Sequence, residues 1–201
     1  MTLPDRFRFL ALGDSYTIGE GVSPQDRWPD QLAAHWQTQL NRPVEVQIVA
    51  TTGWRTDNLA NALTIARLLP TYDKVSLLIG VNNQYQHRSV EVYAVEFEEL
   101  LGMAIGLVRG KTENVFVVSN PDYGFTPYGA ARREEISPAI DAFNAVNRTL
   151  AARRGVAYVD ITGLSREGLA HPDWVVADGL HPSGQMYARW AAHIAAAVPL
   201  V

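Results

Sequence analysis

Phe7-Arg8-Phe9-Leu10-Ala11-Leu12-Gly13-Asp14-Ser15-Tyr16 is the stretch on which the reading of the chain turns. Phe7 to Leu12, apolar but for Arg8, has the length and composition of a buried strand. Gly13-Asp14-Ser15 is a turn signal, so Ser15 is expected on a tight bend at the carboxyl end of that strand. In an open α/β sheet this edge is where ligands bind. A serine there is either a turn former or a nucleophile, and the rest of the chain has to decide.

Strand-like and helix-like segments alternate from there to the end. Further strands are expected at Val44 to Ala50, Lys74 to Gly80, Asn114 to Ser119 and Val156 to Ile161, each rich in Val, Ile or Leu and bounded by Gly, Asn, Asp or Pro. Near-continuous apolar runs suit parallel strands covered on both faces. Helices are expected at Pro29 to Leu40, Thr56 to Leu69 with Thr56 as N-cap, Ser89 to Arg109, Pro138 to Arg154 behind Ser137 as N-cap, and Ser183 to Val198. Their apolar stripes, such as Phe97, Leu100, Leu101, Ala104, Ile105 and Val108, are core rather than chemistry. Strict alternation of five strands and five helices argues one α/β domain over residues 1–201, with a parallel sheet and right-handed crossovers. Asp14 to Trp28, Asn82 to Arg88, Asn120 to Glu135 and Thr162 to Pro182 read as long irregular stretches on the same edge as Ser15. Such loops in a compact domain are usually functional.

The 201 residues suffice for one sizeable core; 47% are hydrophobic and 19% charged, as in a soluble globular protein. Net charge is −4 and basic residues cluster only as the pairs Arg132-Arg133 and Arg153-Arg154, so nothing suggests a nucleic-acid partner. There is no cysteine, which excludes disulfides, thiolate metal sites and a cysteine nucleophile. The stretch from Met1 to Arg6 lacks the pattern of a secretory signal, and no apolar run approaches the about 20 residues of a membrane span. A cytoplasmic location is the expectation.

A serine nucleophile needs a base. His35 and His193 fall within helices, and His87 has no adjacent carboxylate to orient it. His171-Pro172-Asp173 and Asp178-Gly179-Leu180-His181 each supply an acid. The second is better arranged, because one turn across the glycine brings the carboxylate to Nδ1 and leaves Nε2 free to face a partner. Read blandly, Asp178-Gly179 is a turn before a helix. Donors for a developing oxyanion are the Ser15 N–H, the N–H at Gly53 after the second strand, and the amide of Asn82 after the third. Alone, Gly53 reads as a turn glycine and Asn82 as a loop residue; their joint position after successive strands favours the site. Asp14 beside the serine reads as a turn cap rather than a catalytic acid.

Gly13-Asp14-Ser15, Gly53, Gly80-Val81-Asn82 and Asp178-Gly179-Leu180-His181 occur in the order found in the SGNH hydrolases, also called GDSL-type esterases or lipases, which the chain resembles from its first strand to its last helix. The resemblance implies a flavodoxin-like three-layer α/β/α sandwich on a five-stranded parallel sheet, with no metal or organic cofactor. It implies Ser15 as nucleophile, Asp178 and His181 as acid and base, and Ser15, Gly53 and Asn82 as oxyanion donors. Two positions depart from the family pattern: Tyr16 stands where leucine is common, and Asn83 replaces a frequent aspartate.

These residues imply hydrolysis of small, soluble carboxylic esters, acetylated sugars among them, through an acyl-enzyme. Lysophospholipase or thioesterase-type acyl hydrolysis is the alternative within the family. Tyr16, Trp54, Asn83, Tyr123, Phe125 and Trp174 are the expected substrate contacts, with Tyr85 and Tyr128 among the aromatics crowding the same edge. A non-catalytic carbohydrate-binding module is the rival reading. Nucleotide or phosphate binding ranks last, since no Gly-rich phosphate fingerprint follows the first strand.

Overall fold

The computed structural model describes residues 6–200; residues 1–5, on which the absence of a leader was read, and residue 201 lie outside the described residues. Five strands form one sheet: β1 (Phe7–Gly13), β2 (Val44–Ala50), β3 (Lys74–Leu78), β4 (Val115–Val118) and β5 (Ala157–Val159). Their spatial order is β2-β1-β3-β4-β5 and each neighbouring pair is parallel, in the flavodoxin-like arrangement. The helices among the described residues are α1 (Ser15–Ile18), α2 (Trp28–Leu40), α3 (Thr56–Ile65), α4 (Val81–Tyr85), α5 (Val90–Leu107), α6 (Arg133–Arg154), α7 (Thr162–Ser165) and α8 (Gly184–Ala197), with short 3₁₀ turns between them.

The strand period of two sorts side chains to opposite faces. From β1, Phe7, Phe9 and Ala11 pack with Leu32 and Trp36 of α2 and with Met186, Trp190 and Ile194 of α8. Leu10 and Leu12 point the other way, toward Leu59 and Leu63 of α3 and Phe97, Leu100 and Leu101 of α5. Phe9 meets Trp36 edge to face, with ring centroids 4.9 Å apart. Both side chains are fully buried, and each such large apolar group stabilises the fold by about 1.5–3 kcal/mol relative to exposure. The parallel sheet expected from the alternating pattern and the three layers implied by the family resemblance are thus present, and the expected stripes face the sheet.

Four local expectations are corrected. β2 is an edge strand and mostly half-buried, so it is not covered on both faces. Thr56 is the first residue of α3 rather than its cap; Arg55 takes the cap position, and the helix stops at Ile65 as Ala66 turns extended. Ser137 does not cap the fourth long helix, because α6 begins at Arg133 and runs through Pro138. The missing proline N–H spares only the carbonyl of Glu134, in an exposed first turn, so the helix tolerates it. The stretches read as irregular contain α1, α4, α7 and several 3₁₀ turns, segments too short for a hydrophobic period to reveal.

Strand order places the topological switch point between β1 and β3, whose chain continuations run to opposite sides of the sheet. Ser15 follows β1 and Asn82 follows β3, so both stand at the mouth of that crevice.

Candidate active site

Ser15 is the first residue of α1, directly behind the strand end. Gly13 makes that bend possible: a Cβ there would lie 2.1 Å from Thr17 Oγ1 and 2.5 Å from the Leu78 carbonyl oxygen. Asp14 caps the short helix, its Oδ1 accepting from the Tyr16 N–H at 3.0 Å. Its carboxyl is wholly buried, and burial pushes its pKa up to about 7. Hydrogen bonds from the Tyr16 N–H and the Asn82 amide only partly offset that desolvation. Ser15 lines a cavity of about 210 Å³.

Gly53, in the turn after β2, has φ of +82°, a conformation L side chains rarely adopt, while the space beside its Cα is open. Conformation, not close approach, is what requires glycine there. Asn82 lies on α4, where its Nδ2 donates to the Trp54 carbonyl at 3.0 Å. A longer contact of 3.4 Å reaches Asp14 Oδ2. The amide is therefore aimed by two separate loops.

Asp178 and His181 sit at the tip of a narrow hairpin. Val175 and Pro182 form an antiparallel bridge, the Val176 N–H donates to the His181 carbonyl at 2.9 Å, and the Ser183 N–H donates to the Trp174 carbonyl at 2.8 Å. Asp178 Oδ1 accepts from the N–H groups of Leu180 (2.7 Å) and His181 (2.9 Å), while Oδ2 meets His181 Nδ1 at 2.6 Å. Partial burial works to raise the Asp178 pKa, but the imidazole and the two backbone donors outweigh it and hold the carboxyl below its ordinary value. An ionised carboxylate on Nδ1 fixes the tautomer that leaves Nε2 unprotonated in the neutral ring.

The same cavity is lined by Ser15, Tyr16, Gly53, Asn82, Tyr123 and His181, bringing together five loops that are far apart in sequence. Thr52, Val81, Tyr85, Tyr128 and Leu180 complete its wall. The structure does not bring four expected substrate contacts to it. Asn83 is buried, accepting from the Thr56 N–H at 3.1 Å and donating to Thr56 Oγ1 at 2.6 Å, so it ties α4 to α3. Trp54 is half-buried against the core on the α3 and α5 face of the sheet, and its carbonyl accepts from Asn82. Phe125 lies under the Arg133 and Arg166 guanidinium groups. Trp174 is buried between the stacked His171 ring, 3.9 Å away, and Arg189. That stacking also accounts for His171, which does not reach the cavity.

A buried polar cluster went unread in the sequence. Ser119 Oγ accepts from the N–H groups of Ile161 and Thr162 and from Thr162 Oγ1, at 2.8–3.1 Å. Asn144 of α6 accepts from the Asn120 N–H at 2.8 Å and donates to the Asn120 carbonyl at 3.0 Å. Together they clamp the chain leaving β4 to the chain leaving β5. A Ser-Asn pair after a strand carries no signal of its own, since its partners come from residues 24 to 43 positions away.

Among the described residues no helix is long and apolar enough to cross a membrane, and no group of three or more His, Asp and Glu side chains is placed to hold a metal ion. The GDSL-like lipase/acylhydrolase family model matches residues 11–189. No curated protein matches the chain. Solved structures of like fold include an acetylxylan esterase from Geobacillus stearothermophilus, 17% identical, covering 100% of this chain and 99% of that one at a TM-score of 0.76. Others are an alpha/beta hydrolase enzyme from the metagenome of Lake Arreo, Spain (20% identical, 96% and 94% covered, TM-score 0.74) and a lipase/acylhydrolase from Enterococcus faecalis (20% identical, 94% of each covered, TM-score 0.73).

Proposed function

We propose that this chain, which belongs to the GDSL-like lipase/acylhydrolase family, is a carboxylic ester hydrolase that uses Ser15, His181 and Asp178 to cleave small, soluble esters through an acyl-enzyme. The observation that carries the reading is one cavity lined at once by Ser15, His181, Gly53 and Asn82. His181 Nε2 takes the proton from Ser15 Oγ as that oxygen attacks the ester carbonyl carbon. The charge developing on the carbonyl oxygen is met by the N–H groups of Ser15 and Gly53 and by the Asn82 amide, one N–H of which is held by the Trp54 carbonyl while the other gives up its long 3.4 Å contact with Asp14 Oδ2. The tetrahedral species collapses, His181 gives its proton to the departing alcohol, and water repeats the sequence on the acyl group. Asp178 holds the imidazole through its 2.6 Å contact with Nδ1 and stabilises the imidazolium between the two proton transfers.

Acetylated sugars are a fitting class within this range. An acetyl group is the shortest acyl chain such a cavity can take, and a structure of like fold is named an acetylxylan esterase. The test is covalent labelling with a serine-directed organophosphonate, the adduct being located by mass spectrometry. Modification confined to Ser15, with loss of ester turnover in Ser15→Ala, is expected. A folded protein that resists the reagent and turns over no p-nitrophenyl acetate would return the binding-module reading.

A further inference from the structure

The cavity has a buried floor and an exposed rim. Tyr16, Val81 and Tyr123 form the floor at 3–5% exposure, whereas Tyr85 and Tyr128 at the rim are 44% and 51% exposed. The two rim phenols are 43 residues apart in sequence, yet their hydroxyls are hydrogen-bonded at 2.9 Å. Tyr85 belongs to α4, behind β3; Tyr128 belongs to the loop behind β4. The Tyr128 N–H also donates to the Gly179 carbonyl at 2.9 Å, inside the hairpin that carries Asp178 and His181. Below them the Tyr123 ring packs edge-on to Tyr85, 6.2 Å between centroids, and its hydroxyl donates to Gln84 Oε1 at 2.8 Å. The loops after β3, β4 and β5 are thus joined across the opening.

Asn82 and Tyr85 are three apart on α4 and so project from neighbouring positions of one helix face. An ester whose carbonyl oxygen is held by the Asn82 amide has its acyl chain beginning one helical turn from the Tyr85 ring. The alcohol departs in the first half of the reaction, but the acyl group stays bonded to Ser15 and must fit the space that remains. That space is walled by aromatic and aliphatic surface and closed outward by two hydroxyls hydrogen-bonded to each other.

Building on the hydrolase reading above, we propose that the Tyr85–Tyr128 hydroxyl pair is a bar across the cavity that sets acyl-chain length, admitting acetyl and other short groups and excluding long ones. Neither residue takes part in bond making; both act through contact with the acyl chain.

The experiment compares kcat/KM for p-nitrophenyl acetate and octanoate in the wild type, Tyr128→Ala, Tyr128→Phe and Tyr85→Phe, with thermal unfolding to confirm that each variant folds. One methylene in an apolar pocket changes kcat/KM by about 10- to 200-fold, so opening a wall that blocks several should be plainly visible. The octanoate-to-acetate ratio is expected to rise by at least about tenfold in Tyr128→Ala. Each phenylalanine variant, which loses the hydroxyl contact but keeps the ring, is expected to give a smaller rise in the same direction. A general structural weakening lowers both rates and leaves the ratio alone. If Ser15 is labelled by the phosphonate but the ratio stays within about threefold of wild type in all folded variants, the bar is refuted and the hydrolase reading stands. If Ser15 is not labelled, both fall. Should Tyr128→Ala fail to fold, the two phenylalanine variants decide by the same criterion.

Discussion

Replacing Asp14 by asparagine tests a buried carboxyl directly beside Ser15. Its carboxyl is fully buried, and its pKa stands at about 7 against an ordinary value of 3.8. The folded chain therefore keeps this proton to higher pH than the unfolded chain does. Between about pH 4 and pH 7 the native state binds more protons than the denatured state, so stability falls as pH rises. The contribution is fully present below about pH 4 and lost once pH has passed about 7. Each pH unit across that window corresponds to about 1.4 kcal/mol, so going from pH 5 to pH 8 removes about 3 kcal/mol from the wild type through this group alone. The carboxamide of the Asp14→Asn variant cannot ionise and loses none of it. It still accepts from the Tyr16 N–H, but presents a donor to the Asn82 amide, which costs about 1 kcal/mol at either pH. Urea unfolding of both proteins at pH 5 and pH 8 isolates the difference, since every other titrating group is shared. Asp14→Asn should be the less stable protein at pH 5 and should gain about 3 kcal/mol on the wild type by pH 8. Parallel stability curves would refute the reasoning, because they would mean that Asp14 is ionised across the whole range and its burial is compensated by something other than these contacts.

Asn82→Ala removes one of the three proposed oxyanion donors and should lower kcat by about 10²- to 10³-fold with little change in KM, measured on a short-chain ester. A change confined to KM would place the amide on bound substrate rather than on the transition state. Gly13→Ala forces a methyl group against Thr17 and the Leu78 carbonyl, where backbone must move, and should cost about 3 kcal/mol or more in urea unfolding. An alanine variant as stable as wild type would show that the close approach behind Ser15 is not needed.

The architecture was legible because each strand is a compact apolar run and each long helix repeats its stripe over several turns. Phe97, Leu100, Leu101, Ala104 and Ile105 are all buried on the side their spacing assigns. The Asp178–His181 contact was legible for a different reason: both residues belong to one turn, so sequence spacing translates directly into geometry. What escaped was whatever depends on residues distant in sequence. Asn83, Phe125 and Trp174 are of types that suit a binding wall, yet they are held by Thr56, by arginines and by His171 respectively, partners no local pattern specifies. The start of α6 escaped too, because a proline in its second turn mimics a helix beginning when its lost bond falls on an exposed carbonyl.

The small hairpin from Trp174 to Ser183 has a mechanical consequence. Acid and imidazole hang from the same few residues and are bonded to the same backbone, so they travel as a unit whenever that loop shifts. In the proposed mechanism the reacting groups then have, in effect, a single adjustable coordinate: the gap between this unit and the hydroxyl at the end of the first strand. A disturbance at the base of the hairpin, however remote from the proposed chemistry, would widen that one gap while leaving the Asp178–His181 contact intact. Turnover would then fall although the acid and the imidazole still met as before.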